Sequence, residues 1–409
     1  MDYRLAFAAT LLLCATVRTL PAQASQPVVE NAWQVGTPIV TYYAGPPMSD
    51  GVARQMAEGG FNVVWCGESD LDLLQRHGLR GMLHDGLLRP ATLDSAEERE
   101  RLDALIARVC KHPALYSYFI TDEPSAAAFP GLGQLVAYLR QRDPGRMAYI
   151  NLFPTYANNQ QLGTTGDTVT AYGEHLRQYL DVVKPALVSY DHYQFMVGHD
   201  TQQYFLNLQM IREAARSRGL PFLNIVQACS WAPQVRVPVA DELRYLVYTT
   251  LAYGAEGISY YVYSAANHKG GMRNDDGTPT AIYEAVKPLN PEFVAIATQL
   301  QPLQSLAVYH TAMKEPGCLP LPADVAFRPE TETDAGAERG LLLGYFGTGS
   351  TVTHVLVVNL DYRAGTTADI VGPAALALYD AATGKWSGTD SSRASLRLPP
   401  GGGILVRSQ

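Results

Sequence analysis

Apolar residues along the chain follow two rhythms. From residue 38 to about residue 305, short apolar runs alternate with longer stretches whose apolar positions recur every three or four residues. The short runs, at 38–45, 61–67, 79–86, 115–122, 147–153, 186–193, 221–228 and 257–264, are apolar almost throughout. That is the pattern of strands buried on both faces. Helical stretches are predicted between and after them, over 50–58, 70–76, 95–110, 129–141, 168–183, 201–218, 239–253 and 281–301. Ser95, three residues before Glu98, gives the third of these a capping-box start. Gly219 and Gly254 fall where two others should stop. Eight strand–helix alternations over this length predict a (β/α)₈ barrel. An open doubly wound sheet is the alternative, but it generally carries a Gly-rich phosphate turn that this chain lacks.

Past residue 305 the rhythm changes. Short strand-like runs at 341–346, 352–360, 375–380, 394–398 and 404–406 are separated by Gly, Asp, Thr and Pro, with no helical period between them. Residues 306–409 are therefore expected to form a β-sandwich behind a barrel of residues 25–305. Residues 330–339 read as an exposed polar loop.

The first 24 residues read differently again. Arg4 precedes a short apolar run at 5–17, and Ala22-Gln23-Ala24 fits a small-x-small cleavage site. A leader cleaved before Ser25 is expected, and with it a secreted or periplasmic protein. No later stretch is apolar and long enough to span a membrane. The chain of 409 residues carries a net charge of −8, which disfavours nucleic acid as a partner. Cys66, Cys110, Cys229 and Cys318 are widely spaced and match no zinc pattern. Buried free thiols are expected, although a disulfide stays open in an exported chain. Oligomeric state is not readable.

In a barrel, chemistry gathers at the C-terminal strand ends. Polar and aromatic residues there are Glu68 after strand two, His84-Asp85 after three, Asp122-Glu123 after four, and Asn151 at five. Asp191-His192-Tyr193 ends strand six, Gln227 and Trp231 follow seven, and Tyr263 ends eight. Several carboxylates among amides and aromatic rings suit a sugar site, where acids move protons and rings stack on the sugar. Tyr is frequent, at 24 residues. The segment Tyr118-Phe119-Ile120-Thr121-Asp122-Glu123-Pro124 is the most informative, because an apolar strand ends abruptly in two acids. The same acids and proline could simply start a helix. His84, His192 and His268 lack the spacing of a metal site. Gly270-Gly271 and Gly401–Gly403 lack that of a phosphate loop, and no serine-nucleophile elbow occurs. No cofactor or metal is expected.

The 118–124 segment resembles the strand-four motif of glycoside hydrolase clan A barrels. With Phe129-Pro130, the run from Ala148 to Pro154, Asp191-His192-Tyr193 and Tyr253-Gly254-Ala255, the barrel is similar to β-galactosidase-like (family-42-like) hydrolases. The resemblance implies an O-glycosidase acting on an oligo- or polysaccharide, with Glu123 as general acid/base and Asp122 in the place of a sugar-binding Asn. It also implies a nucleophilic Glu at the end of strand seven, where this chain has Gln227. Asp191 is the expected substitute as catalytic partner, or else a structural acid. Asp122, Glu68, Asp85, Asn151, His192, Tyr193, Gln227, Trp231 and Tyr263 are the expected substrate-binding residues. Gln227 keeps a second reading open, a barrel that binds carbohydrate without cleaving it.

Overall fold

A computed structural model of the chain describes residues 32–330 and 339–409. The predicted leader and most of the predicted polar loop lie outside the described residues. The eight apolar runs form eight parallel strands: β1 (Ile39–Tyr43), β2 (Val63–Cys66), β3 (Arg80–Leu83), β4 (Leu115–Asp122), β5 (Met147–Leu152), β6 (Val188–His192), β7 (Phe222–Gln227) and β8 (Gly257–Tyr261). They hydrogen-bond in the order β1-β8-β7-β6-β5-β4-β3-β2, so the sheet curls into a nearly closed barrel. At the seam between β1 and β2 a side chain stands in for a strand partner. The Asn62 backbone N–H donates to Val40 O at 3.0 Å, and its side-chain oxygen accepts from Val40 N at 3.1 Å.

Eight principal helices wrap the barrel: α1 (Asp50–Glu58), α2 (Leu71–Arg76), α3 (Ala96–Val109), α4 (Phe129–Arg142), α5 (Thr168–Gln178), α6 (Tyr204–Ser217), α7 (Ala240–Ala252) and α8 (Ala281–Leu300). Their starts follow local chemistry. Ser95 Oγ accepts from Glu98 N at the head of α3, and Thr280 Oγ1 from Tyr283 N at the head of α8. Gly219 and Gly254, at φ +63° and +91°, turn the chain out of α6 and α7 through a region that disfavours side chains. The stretch predicted as one helix over 168–183 ends its regular winding at Gln178, and Tyr179–Val183 forms a wider π turn. Lys184 then takes φ +54° before Pro185, which bars continuation of the helix.

A β-domain follows α8. Six strands run in the order β9 (Gln304–His310), β10 (Leu341–Thr348), β11 (Thr351–Asn359), β16 (Gly403–Ser408), β13 (Leu376–Asp380) and β14 (Lys385–Gly388). A smaller sheet joins Arg328–Pro329, β12 (Thr366–Val371) and β15 (Arg393–Leu398). The two sheets pack as a sandwich. Strand β10 shows why its sequence is apolar on both faces through Phe346: Leu341, Leu343 and Tyr345 fill the sandwich core, while Leu342 and Phe346 join the core of the barrel. Gly344 makes this docking possible, since a Cβ there would lie 2.1 Å from Ala252 O in α7.

Strand register sets the height of the site. Asp122 pairs with Asn151, and Asn151 with Ser189, across β4, β5 and β6. On the opposite wall Tyr43 and Gln227 both pair with Tyr261.

Candidate active site

Strand β4 carries the chain to the barrel mouth and then bends sharply. Glu123 N–H still donates to Asn151 O at 2.9 Å, continuing the ladder, but Glu123 takes φ +44°. A bulky residue in the left-handed region is uncommon and persists only where its surroundings fix it. The bend places two successive carboxyls in one basin.

Asp122 is exposed in the mouth. Its Oδ2 accepts from Tyr43 OH at 2.7 Å, and its Oδ1 accepts from Asn151 Nδ2 at 3.0 Å. The same amide nitrogen donates to Asp191 Oδ1 at 2.9 Å. Asn151 Oδ1 accepts from Ser189 Oγ at 2.9 Å, and Ser189 meets Tyr149 OH at 2.8 Å. This chain of hydroxyls holds the amide with its N–H groups toward the acids. Asp191 is only 3% exposed, and its carboxyl is hydrogen-bonded to that of Glu123. Asp122, Asp191 and Glu123 therefore form one trio. No Lys or Arg among the described residues forms an ion pair with any of the three.

Three neighbouring carboxyls without a cation cannot all ionise. Burial, then the charge of Asp122, pushes Glu123 up to about 7, while the hydrogen bond to Asp191 works the other way. Asp191 is held well above the carboxylate range by burial and by the charges of Glu123 and Asp122. Asp122 is raised by burial, against which the Tyr43 and Asn151 hydrogen bonds stabilise its charge. All three carboxyls are thus pushed toward the protonated form, Asp191 by the deepest burial, and Glu123 is poised near neutral pH.

Aromatic rings wall this basin. Tyr43, Trp65 and Phe119 pack on one side, with the His84 ring centroid 4.2 Å from both Trp65 and Phe119. Burial lowers His84 to about 4, so it is neutral. On the other side Tyr193, Trp231 and Tyr261 form a triad with centroids 4.6 to 5.1 Å apart. Tyr156 stands 46% exposed over His192, and its hydroxyl feels the charges of Asp191 and Glu123.

The structure thus brings together Glu123, Asp191, Asp122 and Asn151, with Tyr193 and Trp231 on the wall. It places the other expected site residues elsewhere. Gln227 is fully buried; its Oε1 accepts from Phe195 N at 2.7 Å, and its Nε2 donates to Phe195 O at 2.9 Å and Arg236 O at 2.6 Å. It clasps the loops after β6 and β7 and has no donor or acceptor directed at a ligand. His192 is fully buried between Asn207 Oδ1 and Thr201 Oγ1, each at 3.0 Å. Tyr263 is fully buried and donates to Gln55 in α1 at 2.9 Å. Glu68 is paired with Arg108 through two hydrogen bonds of 2.6 and 2.9 Å. Asp85 is exposed and caps its own loop at Leu87 N, 2.8 Å away.

Six contributors escaped the sequence reading: Tyr43, Trp65, Tyr149, Tyr156, Ser189 and Tyr261. Strand β1 ends in Tyr42-Tyr43, and no acid there draws attention to it. Tyr261 was detectable by alternation: Tyr260 is fully buried beneath the helices, so its neighbour must point to the other face. Tyr156 sits in a loop, where periodicity says nothing.

No family model matches the sequence, and a search of curated proteins finds no relative. Solved structures share its fold. One described as a glycoside hydrolase superposes with a TM-score of 0.53 at 9% identity, covering 90% of this chain and 91% of that one. A putative glycoside hydrolase from Bacteroides vulgatus gives 0.50 at 11% identity, covering 92% and 78%. A β-galactosidase from the psychrophilic Marinomonas ef1 gives 0.44 at 14% identity; the match covers 64% of this chain and 60% of that one. At such identities the likeness is one of fold, and the two matches at a TM-score of 0.50 or above span 90% and 92% of this chain.

Proposed function

We propose that the chain is a glycoside hydrolase that cleaves an O-glycosidic bond of an oligo- or polysaccharide, with Glu123 as general acid. The observation that carries this reading is the carboxyl trio at the barrel mouth. Glycoside cleavage needs one carboxyl that still holds a proton near neutral pH and one that is already ionised. Glu123 can hold a proton near neutral pH, Asp122 accepts two hydrogen bonds that stabilise its charge, and the half-buried rings beside them offer the flat apolar faces that sugars stack on. The fold shared with proteins described as glycoside hydrolases supports the same reading.

The test is a panel of nitrophenyl and natural glycosides offered to wild type and Glu123→Gln. The substitution keeps shape and hydrogen bonding but removes the proton. A loss of about 10²–10⁴-fold is expected on substrates with poor leaving groups, with partial recovery on activated ones. Unchanged turnover in the variant would remove Glu123 from the chemistry. A second reading, a barrel that binds sugars without cleaving them, is favoured by Gln227, whose strand end offers no carboxylate. It wins if sugars bind in the mouth and no glycoside is cleaved. The leader-like residues 1–24 support export to the periplasm or medium. Mass spectrometry of the exported protein should then show Ser25 at its N-terminus.

A further inference from the structure

We infer that the carboxylate facing the anomeric carbon is Asp122, and that the buried Asp191 is a positioning residue that hydrogen-bonds Glu123 from behind. This deepens the hydrolase reading and rests on it. Asp191 has one oxygen held by Asn151 Nδ2 at 2.9 Å and its carboxyl engaged with that of Glu123, so it is not free to face a sugar carbon. Asp191 is also nearly sealed, with 3% of its surface exposed.

Asp122 has the opposite properties. It is exposed, and both its oxygens accept hydrogen bonds from groups that prefer an anion, Tyr43 OH and Asn151 Nδ2. Glu68 and Asp85 are engaged by Arg108 and by the backbone of their own loop, which leaves Asp122 as the free carboxylate of the basin. Asn151 joins the two roles. One N–H steadies the Asp122 charge at 3.0 Å, and the other occupies Asp191 Oδ1 at 2.9 Å.

The step balances as follows. The bond between the anomeric carbon and the leaving oxygen breaks, and its electron pair goes to that oxygen together with the Glu123 proton. The positive charge left on the carbon lies against Asp122. Asp191 keeps its own proton and donates that O–H to the newly formed Glu123 carboxylate. A water oxygen then bonds to the carbon, and the water proton returns to Glu123.

The experiment compares Asp122→Asn, Asp191→Asn and Asp191→Leu with wild type on natural oligosaccharides, whose poor leaving group needs a proton, and on glycosyl fluorides, whose leaving group needs none. Asp122→Asn should lose about 10²–10³-fold on both substrate types, because a charge facing the reacting carbon is gone. Asp191→Asn keeps an N–H donor and should fall by less than about tenfold, whereas Asp191→Leu should lose activity on natural oligosaccharides and keep it on fluorides. An Asp191→Asn variant as inactive as Asp122→Asn on fluorides overturns the assignment and makes Asp191 the reacting carboxylate. Near-wild-type Asp122→Asn overturns it as well. If wild type cleaves nothing, or Glu123→Gln matches it, the hydrolase reading itself falls. Carbon-13 titration of the carboxyls in the unliganded wild type adds a check that needs no substrate. Asp122 must ionise first of the three, and an Asp122 still protonated at pH 7 refutes the assignment.

Discussion

Strands β4 and β7 rise through the same barrel, and both end in polar side chains at the same face. The endings are put to opposite uses. At the end of β7 the Gln227 amide meets two backbone carbonyls and one backbone N–H, so its polar atoms are fully matched by protein. At the end of β4 the Asp122 and Glu123 carboxyls have more acceptor capacity than the protein supplies donors for, and they share a basin with a third acid. Polar groups that serve a scaffold are matched by protein, as Gln227 is, whereas carboxyls gathered at a mouth without a cation are costly to the fold and mark a place for a ligand. Position in the fold is common to both strand ends, and what the polar atoms are matched against separates them.

The largest effect should come from breaking the working end. Glu123→Gln is expected to remove about 10²–10⁴-fold of the rate. It should not lower stability, since it removes a carboxyl that the fold holds in an unfavourable setting. A variant that loses both activity and fold would mean that the β4 end is scaffold too.

The converse change is Gln227→Glu. A carboxylate there cannot donate to Phe195 O or Arg236 O, and both carbonyls would face a negative charge. A loss of stability on the order of 3 kcal/mol is expected in denaturant unfolding. No new glycosyl-enzyme chemistry should appear, because the side chain still points into the loops. A stable and more active Gln227→Glu would show that the clasp can open to the mouth.

The acid trio should also make the fold itself sensitive to pH. Glu123 is raised from its ordinary value of 4.5 to about 7, and Asp191 is raised well above its ordinary range. In the fold these groups stay protonated where the unfolded chain has released its protons. Stability contributed by them is therefore full below about pH 3.8, the ordinary value of Asp191, and declines as pH rises toward 7 and beyond. Asp191→Asn should flatten that decline in unfolding measured at a series of pH values. Activity should fall above about pH 7, as Glu123 gives up its proton.

The barrel was legible because its strands are buried on both faces, and continuous apolar runs mark them without ambiguity. Three strands of the β-domain were not. β12 buries only Ala368 and Ile370, and β14 is a largely exposed hairpin arm, so neither leaves a hydrophobic trace. β9 straddles the domain boundary expected at residue 305, and no strand is predicted there. At the site, Asp122 and Glu123 were legible because acids at the end of an apolar strand are conspicuous. Gln227, His192 and Tyr263 occupy strand-end positions as well, but which polar atoms face the mouth depends on loops that fold back from elsewhere in the chain. Phe195, Arg236, Asn207 and Gln55 make those choices, and no spacing in the sequence relates them to their partners.

The smallest effect tests how far the scaffold role of the β7 end reaches. The loop that Gln227 clasps continues to Asp200, which pairs with Phe195 across a short bridge. Asp200 Oδ2 accepts from Tyr362 OH at 2.7 Å and from Arg339 Nη2 at 2.8 Å, both in the β-domain. The β-domain therefore holds the rim loop that begins at Tyr193 in the aromatic wall. Tyr362→Phe removes one of two donors and leaves the arginine in place, so a loss of only about 1 kcal/mol is expected. Hydrogen exchange should quicken in residues 195–200 while the barrel core keeps its protection. If the rim serves binding and the β4 end serves chemistry, KM should rise with kcat unchanged. A fall in kcat instead would mean that the rim loop also aligns Asp191, two residues before Tyr193, and the division between the two strand ends would have to be redrawn.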